Sequence, residues 1–94
     1  MNQAIEIGII GDYDEGKPSH QATNRALNHA AKRFSVVVNI TWLSTPSFLI
    51  DASEQRIKKF DGIWVSPGSP YQSMSGAVKG IRTAREMNIP LIGT

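Results

Sequence analysis

Short apolar runs rich in Ile and Val alternate with segments of helical periodicity along the whole chain, and this alternation most constrains the fold. Four runs have the length and β-branched content of strands: 4–10 (AIEIGII), 35–43 (SVVVNITWL), 61–66 (DGIWVS) and 89–92 (IPLI). Helical segments separate them at 19–34, 53–60 and 76–88. Such an order builds a parallel sheet with right-handed crossovers. We therefore expect an α/β fold with a three-layer, mostly parallel, flavodoxin-like sheet and helices on both faces.

The first helix carries the clearest periodic pattern. Its small and apolar residues recur on one stripe, which we expect to pack on the sheet. The stripe consists of Ala22, Ala26, Leu27, Ala30, Ala31 and Phe34. Pro18 suits the first turn of this helix, where its missing N–H costs nothing. His20 and His29 fall on the same helix, where we expect solvated or partly buried imidazoles.

Composition limits the classes of partner. A chain of 94 residues has room for one domain. Its net charge of +2 is too small to indicate nucleic-acid binding, and its residues show no signal-peptide pattern and no apolar run of roughly 18 residues. We therefore expect no nucleic-acid or membrane partner and a cytoplasmic location. The absence of cysteine excludes disulfides, thiolate metal sites and a cysteine nucleophile within these residues.

Residues 8–20 (GIIGDYDEGKPSH) have the spacing of a phosphate-binding G-x-x-x-x-G-K loop, from Gly11 to Gly16–Lys17. The carboxylates between the glycines are those of Asp12, Asp14 and Glu15. At about 4 Å and an effective dielectric constant of about 20, each would cost about 4 kcal/mol against a phosphate charge. Pro18 also stands where the loop needs a hydroxyl for magnesium. We therefore expect residues 12–17 to form a solvated loop at the sheet edge where α/β proteins bind ligands.

Two further segments each allow a structural and a functional interpretation. Residues 66–71 (SPGSPY) suit a tight turn after the third strand. Alternatively, a backbone N–H of Gly68 or Ser69 could stabilise a developing oxyanion. Residues 88–94 (NIPLIGT) suit a core strand, or the strand that leads into a nucleophile elbow. In the second case Gly93 and Thr94 precede the elbow, and the nucleophile is residue 95.

Taken together and in order, four segments resemble the first half of a class I glutamine amidotransferase domain. They are IEIGIIGDY with the helix after it, FDGIWVSPGS and AREMNIPLIGT. The likeness covers nearly the whole chain and is greatest to the glutaminase domain of CTP synthase and its free-standing relatives. It implies that 1–94 is the N-terminal part of a single glutamine amidotransferase-like domain, and it implies no cofactor.

The resemblance also assigns roles to individual residues. Gly68 and Ser69 correspond to the glutamine-binding oxyanion loop, and Gly93–Thr94 precede the catalytic cysteine. The cysteine, histidine and glutamate of the family have no counterparts here, so we expect no catalytic residue and no glutaminase activity in this chain. One departure concerns Ser69–Pro70, because the family's loop reads Pro-Gly-Gly. A residue before proline favours extended geometry, and positive φ at a non-glycine residue costs about 1 to 2 kcal/mol.

Two alternatives remain beside the amidotransferase interpretation. One is a flavodoxin-like module that binds a small polar ligand through Gly11–Lys17 and Ser66–Tyr71 without chemistry. The other is a structural or regulatory subunit. This subunit would pair the exposed edge of the last strand (IPLIG) with another chain. Because that edge is unpaired, we also expect the 94-residue chain to associate with itself or with a partner chain. In the complete domain we expect glutamine or a similar small polar molecule as ligand.

Overall fold

The computed structural model of the chain describes residues 4–50, 53–66 and 71–93. Strands and helices alternate in the order that the sequence predicts. The elements are β1 (Ala4–Ile10), α1 (Pro18–Arg33), β2 (Val37–Leu43), a 3₁₀ helix (Pro46–Leu49), α2 (Ser53–Ile57), β3 (Gly62–Val65), α3 (Met74–Glu86) and β4 (Leu91–Gly93).

The strands form one sheet in the order β2-β1-β3-β4, and every pairing is parallel. β1 pairs with β2 along its full length, from Ala4 opposite Val37 to Ile10 opposite Leu43. β3 and β4 are direct neighbours, as the amidotransferase interpretation requires. Because all strands are parallel, their carboxyl ends and the loops that follow them meet at one edge.

Helices cover both faces of the sheet. Trp42 and Leu43 are adjacent in β2, so their side chains point to opposite faces. The Trp42 indole donates a hydrogen bond to Asn24 of α1, whereas Leu43 packs in a cluster with Ala77 of α3. α1 therefore lies on one face, and α3 with α2 on the other. The expected flavodoxin-like arrangement is confirmed.

The main core lies between the sheet and α3. Its buried members are Ile10, Leu43, Phe48, Ile57, Ile63, Ala77 and Ala84. Gly80 lies over this cluster, and a Cβ at this position would come within 3.1 Å of Ile10 Cδ1 and of the Phe48 ring. The glycine lets α3 approach the core closely. This packing offsets the cost of about 1 kcal/mol that glycine carries, relative to alanine, in the interior of a helix.

The face of α1 that packs on the sheet differs from the expected one. Of the predicted stripe, Ala31 is buried and Leu27 half-buried, but Ala22, Ala26, Ala30 and Phe34 are exposed. His20 and Thr23 are buried instead. Their polar atoms have partners, because Thr23 Oγ1 donates to the Ser19 carbonyl and His20 Nδ1 accepts the Asp14 N–H. Alanine buries little surface, so its spacing is a weak guide to the packed face.

Both long helices end in the same way. Ser35 and Asn88 adopt left-handed φ values of 56° and 58°, one residue after each helix cap. The next N–H bonds back to the last turn, from Val36 to Ala31 and from Ile89 to Ala84, each at 3.0 Å. These are Schellman motifs. They return the chain directly to the sheet and explain why β2 begins at Val37 rather than at Ser35.

Candidate functional site at the carboxyl edge of the sheet

Most of the sequence-predicted site residues lie outside the described residues. Gly68, Ser69 and Thr94 are in that group, as is the whole segment 67–70. Gly93 is described and is the last residue of β4, opposite Val65 of β3. The roles assigned to these residues therefore stay predictions, and the geometry of the site comes from their neighbours.

Ser66 and Tyr71 hold the two flanks of segment 67–70 together. Ser66 is 1% exposed, and its N–H donates to the Ile10 carbonyl at 3.1 Å. The Tyr71 hydroxyl donates to the Ser66 carbonyl at 2.8 Å. Ser66 and Tyr71 are therefore bound to each other, and Ser66 is bound to the end of β1.

Gly11 allows the end of β1 to lie against Ser66. A Cβ on Gly11 would come within 2.8 Å of Ser66 Cβ and 3.2 Å of the Trp42 ring. Real Cβ atoms essentially never approach another heavy atom so closely as the first of these distances. The packing of the end of β1 against Ser66, at the end of β3, thus requires glycine at position 11. The place of Gly11 in a phosphate-loop spacing is coincidental.

Asp12 connects the loops that follow β1, β2 and β3. Its Oδ1 accepts the Thr45 N–H at 2.9 Å, and its Oδ2 accepts the Thr45 hydroxyl at 2.8 Å. Oδ2 also accepts the Gln72 N–H at 2.9 Å. This half-buried carboxylate therefore differs from the solvated side chain that we expected in residues 12–17, because backbone donors of two other loops converge on it.

Thr45 extends the connection to α3. Its Oγ1 accepts the Ser73 N–H at 2.8 Å, while Ser73 Oγ accepts the Gly76 N–H at 3.0 Å and caps the helix. A Cβ on Gly76 would lie 1.8 Å from the Thr45 carbonyl oxygen, so this contact needs glycine. We call Asp12, Thr45, Gln72 and Ser73 the loop-tie cluster.

The loop-tie cluster shifts two pKa values. Burial alone would raise the pKa of Asp12, but hydrogen bonds from Gln72 and Thr45, aided by nearby His20, bring it below its ordinary value of 3.8. Burial, with a smaller contribution from the Asp12 charge, raises the pKa of Tyr71 above 10.0. At neutral pH the edge therefore holds a carboxylate that accepts hydrogen bonds beside a neutral phenol that donates one.

The first loop uses its own polar groups internally. The Gly16 N–H donates to Asp14 Oδ1 at 2.8 Å, and the Lys17 N–H donates to the Asp14 carbonyl at 3.0 Å. Pro18, at the start of α1, has no N–H to offer. The N–H groups of Gly16 and Lys17, which a phosphate-binding loop would present to its ligand, are thus occupied here, in agreement with the sequence argument.

The rings of three residues, Tyr13 of this loop, His20 of α1 and Trp42 of β2, pack against one another. The Trp42 ring lies 4.9 Å from that of Tyr13 and 4.8 Å from that of His20, measured between centroids. His20 is 4% exposed and is thus more buried than we expected. Its Nδ1 accepts the Asp14 N–H at 3.1 Å, so the imidazole fixes the loop backbone. His29, by contrast, is exposed.

The loop-tie cluster could not be predicted from the sequence. The hydrogen bonds that join its members cross between loops that are distant in the chain. One signal was present in the sequence: Ser73 stands three residues before Gly76, at the start of a helical pattern, which is typical of an N-cap. No signal in the sequence indicates that Asp12 turns inward. Among the described residues no His, Asp and Glu side chains gather as a metal site, and no helix there is long and apolar enough to cross a membrane.

No protein-family model matches the chain. CTP synthases match it over nearly its whole length. That of Methanococcus maripaludis is 35% identical over 99% of the chain. Those of Acidobacterium capsulatum and Gloeothece citriformis are each 33% identical, over 95% and 98% of it respectively. The chain spans only 16% to 18% of the length of these relatives.

A solved structure of the Trypanosoma brucei CTPS glutaminase domain with bound acivicin matches the fold of the chain with a TM-score of 0.78. It shares 19% sequence identity, and the match covers 95% of this chain and 35% of that one. The predicted resemblance is therefore confirmed: the chain is similar in sequence to CTP synthases along almost all of its residues, and it has the fold of part of a glutaminase domain.

Proposed function

We propose that the carboxyl edge of the sheet is one wall of a glutamine-binding pocket in a glutamine amidotransferase-like domain. One observation carries this proposal: the loop-tie cluster and Tyr71 fix both flanks of segment 67–70, at the edge where β3 and β4 end side by side. Precise placement of a short loop is what an oxyanion hole requires, because its donors must point at a charge that develops during reaction.

The chemistry divides between this wall and the rest of such a domain. A thiol gives its proton to a general base and attacks the side-chain amide carbon of glutamine, and the carbonyl oxygen takes negative charge. The protonated base then donates that proton to the amide nitrogen, the C–N bond breaks, and ammonia leaves as the thioester forms. In our proposal the backbone N–H groups of Gly68 and Ser69 stabilise that oxygen, and Gly93–Thr94 lead to the position of the nucleophile. The 94 residues contain no cysteine, so the chain by itself binds the amide without hydrolysing it.

Titration of the ¹⁵N-labelled chain with glutamine, followed by NMR, tests the proposal. A single wall binds weakly, with a dissociation constant on the order of millimolar. We expect shift changes at the amides of Gly68 and Ser69 and at the flanking Gln72, and none at Gly62 on the opposite edge. Glutamate, which lacks the amide, and asparagine, which is one methylene shorter, are the matched ligands and are expected to perturb these amides less.

Two outcomes would contradict the proposal. Equal shifts with all three ligands would indicate binding without recognition of the amide. Shifts confined to residues 12–17 would place a ligand on the first loop and favour the non-catalytic binding module instead. A matched variant sharpens the result, since Asp12→Ala releases Gln72 and is expected to weaken the response at Gly68, whereas Asp14→Ala is not.

A further inference from the structure

His20 is a buried histidine that accepts a hydrogen bond from the backbone of the first loop. It lies in the first turn of α1 and is 4% exposed. Its Nδ1 accepts the Asp14 N–H at 3.1 Å. An imidazole nitrogen accepts a hydrogen bond only while it carries no proton, so this contact requires the neutral ring with its proton on Nε2. The bond therefore exists in one protonation state of His20 and not in the other.

Neighbouring rings fix the orientation of the imidazole. Tyr13 stacks on His20 with an interplanar angle of 21° and 6.0 Å between the ring centroids. The Trp42 ring lies 4.8 Å from the imidazole, and its own position is fixed because the indole N–H donates to Asn24 of α1 at 2.9 Å. Nδ1 is thus held towards the Asp14 N–H when the ring changes its charge.

Protonation of His20 sets two donors against each other. The imidazolium carries a proton on each ring nitrogen and has no acceptor left. The Asp14 N–H then loses its partner and faces the Nδ1–H instead. Loss of one such bond shifts the balance between the closed and the open loop by up to about tenfold. Acid therefore turns a contact that joins α1 to the first loop into one that separates them.

This bond holds the outer part of the loop. Asp14 organises that part, since its Oδ1 accepts the Gly16 N–H at 2.8 Å and its carbonyl accepts the Lys17 N–H at 3.0 Å. Asp12 is bound instead to the loops after β2 and β3, through bonds that do not involve His20. The two halves of the first loop are therefore anchored separately.

We propose that His20 is a pH-sensitive latch on the first loop. The neutral imidazole holds residues 13–17 against α1, and its protonation releases them while the loop-tie cluster stays closed. The latch lies at the carboxyl edge of the sheet, where α/β proteins bind ligands. Acid would thus loosen one loop of that edge and leave the sheet intact, whichever ligand the edge binds.

The charged and titratable groups around the ring belong, among the described contacts, to the first loop. The Asp12 charge interacts with that of a protonated His20. The Tyr13 phenol, the Asp14 carboxylate and the exposed Lys17 ammonium complete the set, whereas β2 presents the uncharged Trp42. Histidine is the side chain that ordinarily changes its charge between about pH 5 and about pH 8. The chain has two histidines, so His29, which is exposed on the same helix, is the internal control.

An NMR titration of the ¹⁵N-labelled natural chain from about pH 8 to about pH 5 tests the latch. At the upper end we expect His20 as the tautomer with its proton on Nε2. On acidification the Asp14 amide resonance should move with the His20 ring resonances and share their midpoint. Protection of the Asp14 N–H from hydrogen exchange should fall by about tenfold, as expected for the loss of one hydrogen bond. The Gln72 N–H, which Asp12 holds, should keep its protection.

Two matched variants separate the histidines. His20→Asn can place an amide oxygen near the position of Nδ1, and this acceptor does not take up a proton, so the pH response at Asp14 should disappear. His29→Asn should leave that response unchanged. If the first variant does not fold, the natural chain still decides, since its ring and amide resonances are both observed.

Four results would overturn the proposal. They are an Asp14 amide that does not move while His20 titrates, an Asp14 response that survives in His20→Asn, a neutral His20 with its proton on Nδ1, and a ring that stays neutral down to about pH 5. An equal loss of protection at Gln72 would also contradict it, because the release would then extend to the loop-tie cluster.

Discussion

Replacement of Asp12 by alanine is the sharpest test of how the carboxyl edge is held. The carboxylate accepts three hydrogen bonds, two from Thr45 and one from the Gln72 N–H, at 2.8 to 2.9 Å. Alanine removes all three acceptors at once. Thr45 is fully buried, so water cannot readily take the place of the carboxylate at that residue, whereas Gln72 is exposed and can be rehydrated.

The expected cost follows from these three bonds. A typical intramolecular hydrogen bond contributes about 0.5 to 1.5 kcal/mol net, and a buried donor left unpaired costs about 1 to 3 kcal/mol. We therefore expect Asp12→Ala to lower the free energy of unfolding by about 3 kcal/mol. A domain of this length has a total of roughly 5 to 14 kcal/mol, so the variant should still fold.

Urea unfolding followed by tryptophan fluorescence and circular dichroism measures this cost. With an m value of about 1.5 kcal/mol/M, the midpoint should fall by about 2 M while m stays constant. Asp14→Ala is the matched control. Among the described residues, the side chain of this exposed aspartate of the same loop accepts one bond, from the Gly16 N–H, and its loss should cost less than about 1 kcal/mol. Equal midpoints for the two variants would refute the role assigned to Asp12.

Three further predictions concern the same edge. Because the pKa of folded Asp12 lies below 3.8, the difference in unfolding free energy between the natural chain and Asp12→Asn should be complete above pH 3.8. This difference should shrink as the pH falls through the folded pKa and vanish below it. A difference that grows on acidification in urea titrations would contradict this expectation. Gly76→Ala should prevent native packing of α3, seen as loss of near-UV dichroism, because its Cβ would lie 1.8 Å from the Thr45 carbonyl oxygen, whereas Gly16→Ala should fold. Purified chain should release no ammonia from glutamine, and Ser69→Gly should strengthen glutamine binding by NMR if position 69 needs left-handed geometry; ammonia above the blank, or weaker binding by the glycine variant, would count against the proposal.

The fold could be predicted well from the sequence, because β-branched runs and helical periods are local signals. All four strands and the order of elements were recoverable in this way, and the end of α3 at Glu86 differs little from the predicted boundary. The face of α1 that packs on the sheet could not be predicted in this way. His20 and Thr23 are polar but satisfied by nearby partners, and the pattern of small residues does not reveal those bonds.

The candidate site was predictable only in its location. Strand ends can be read from the sequence, so the carboxyl ends of β1 and β3 were placed at one edge correctly. The inward turn of Asp12 depends on donors more than thirty residues away, on Thr45 and Gln72, and such convergence arises only from the folded topology. The roles of Gly68, Ser69 and Thr94 rest on family resemblance and await the experiments above.

The tie made by Asp12 has a consequence for how such a protein can diverge. Three loops share one anchor, so an insertion or deletion between Gly11 and Asp12, or between Leu43 and Thr45, would displace all of them together. Length variation among homologues should therefore concentrate in residues 13–17, beyond the anchor, where side chains face solvent. The shape of this edge would then change by substitution within a rigid frame more readily than by loop grafting.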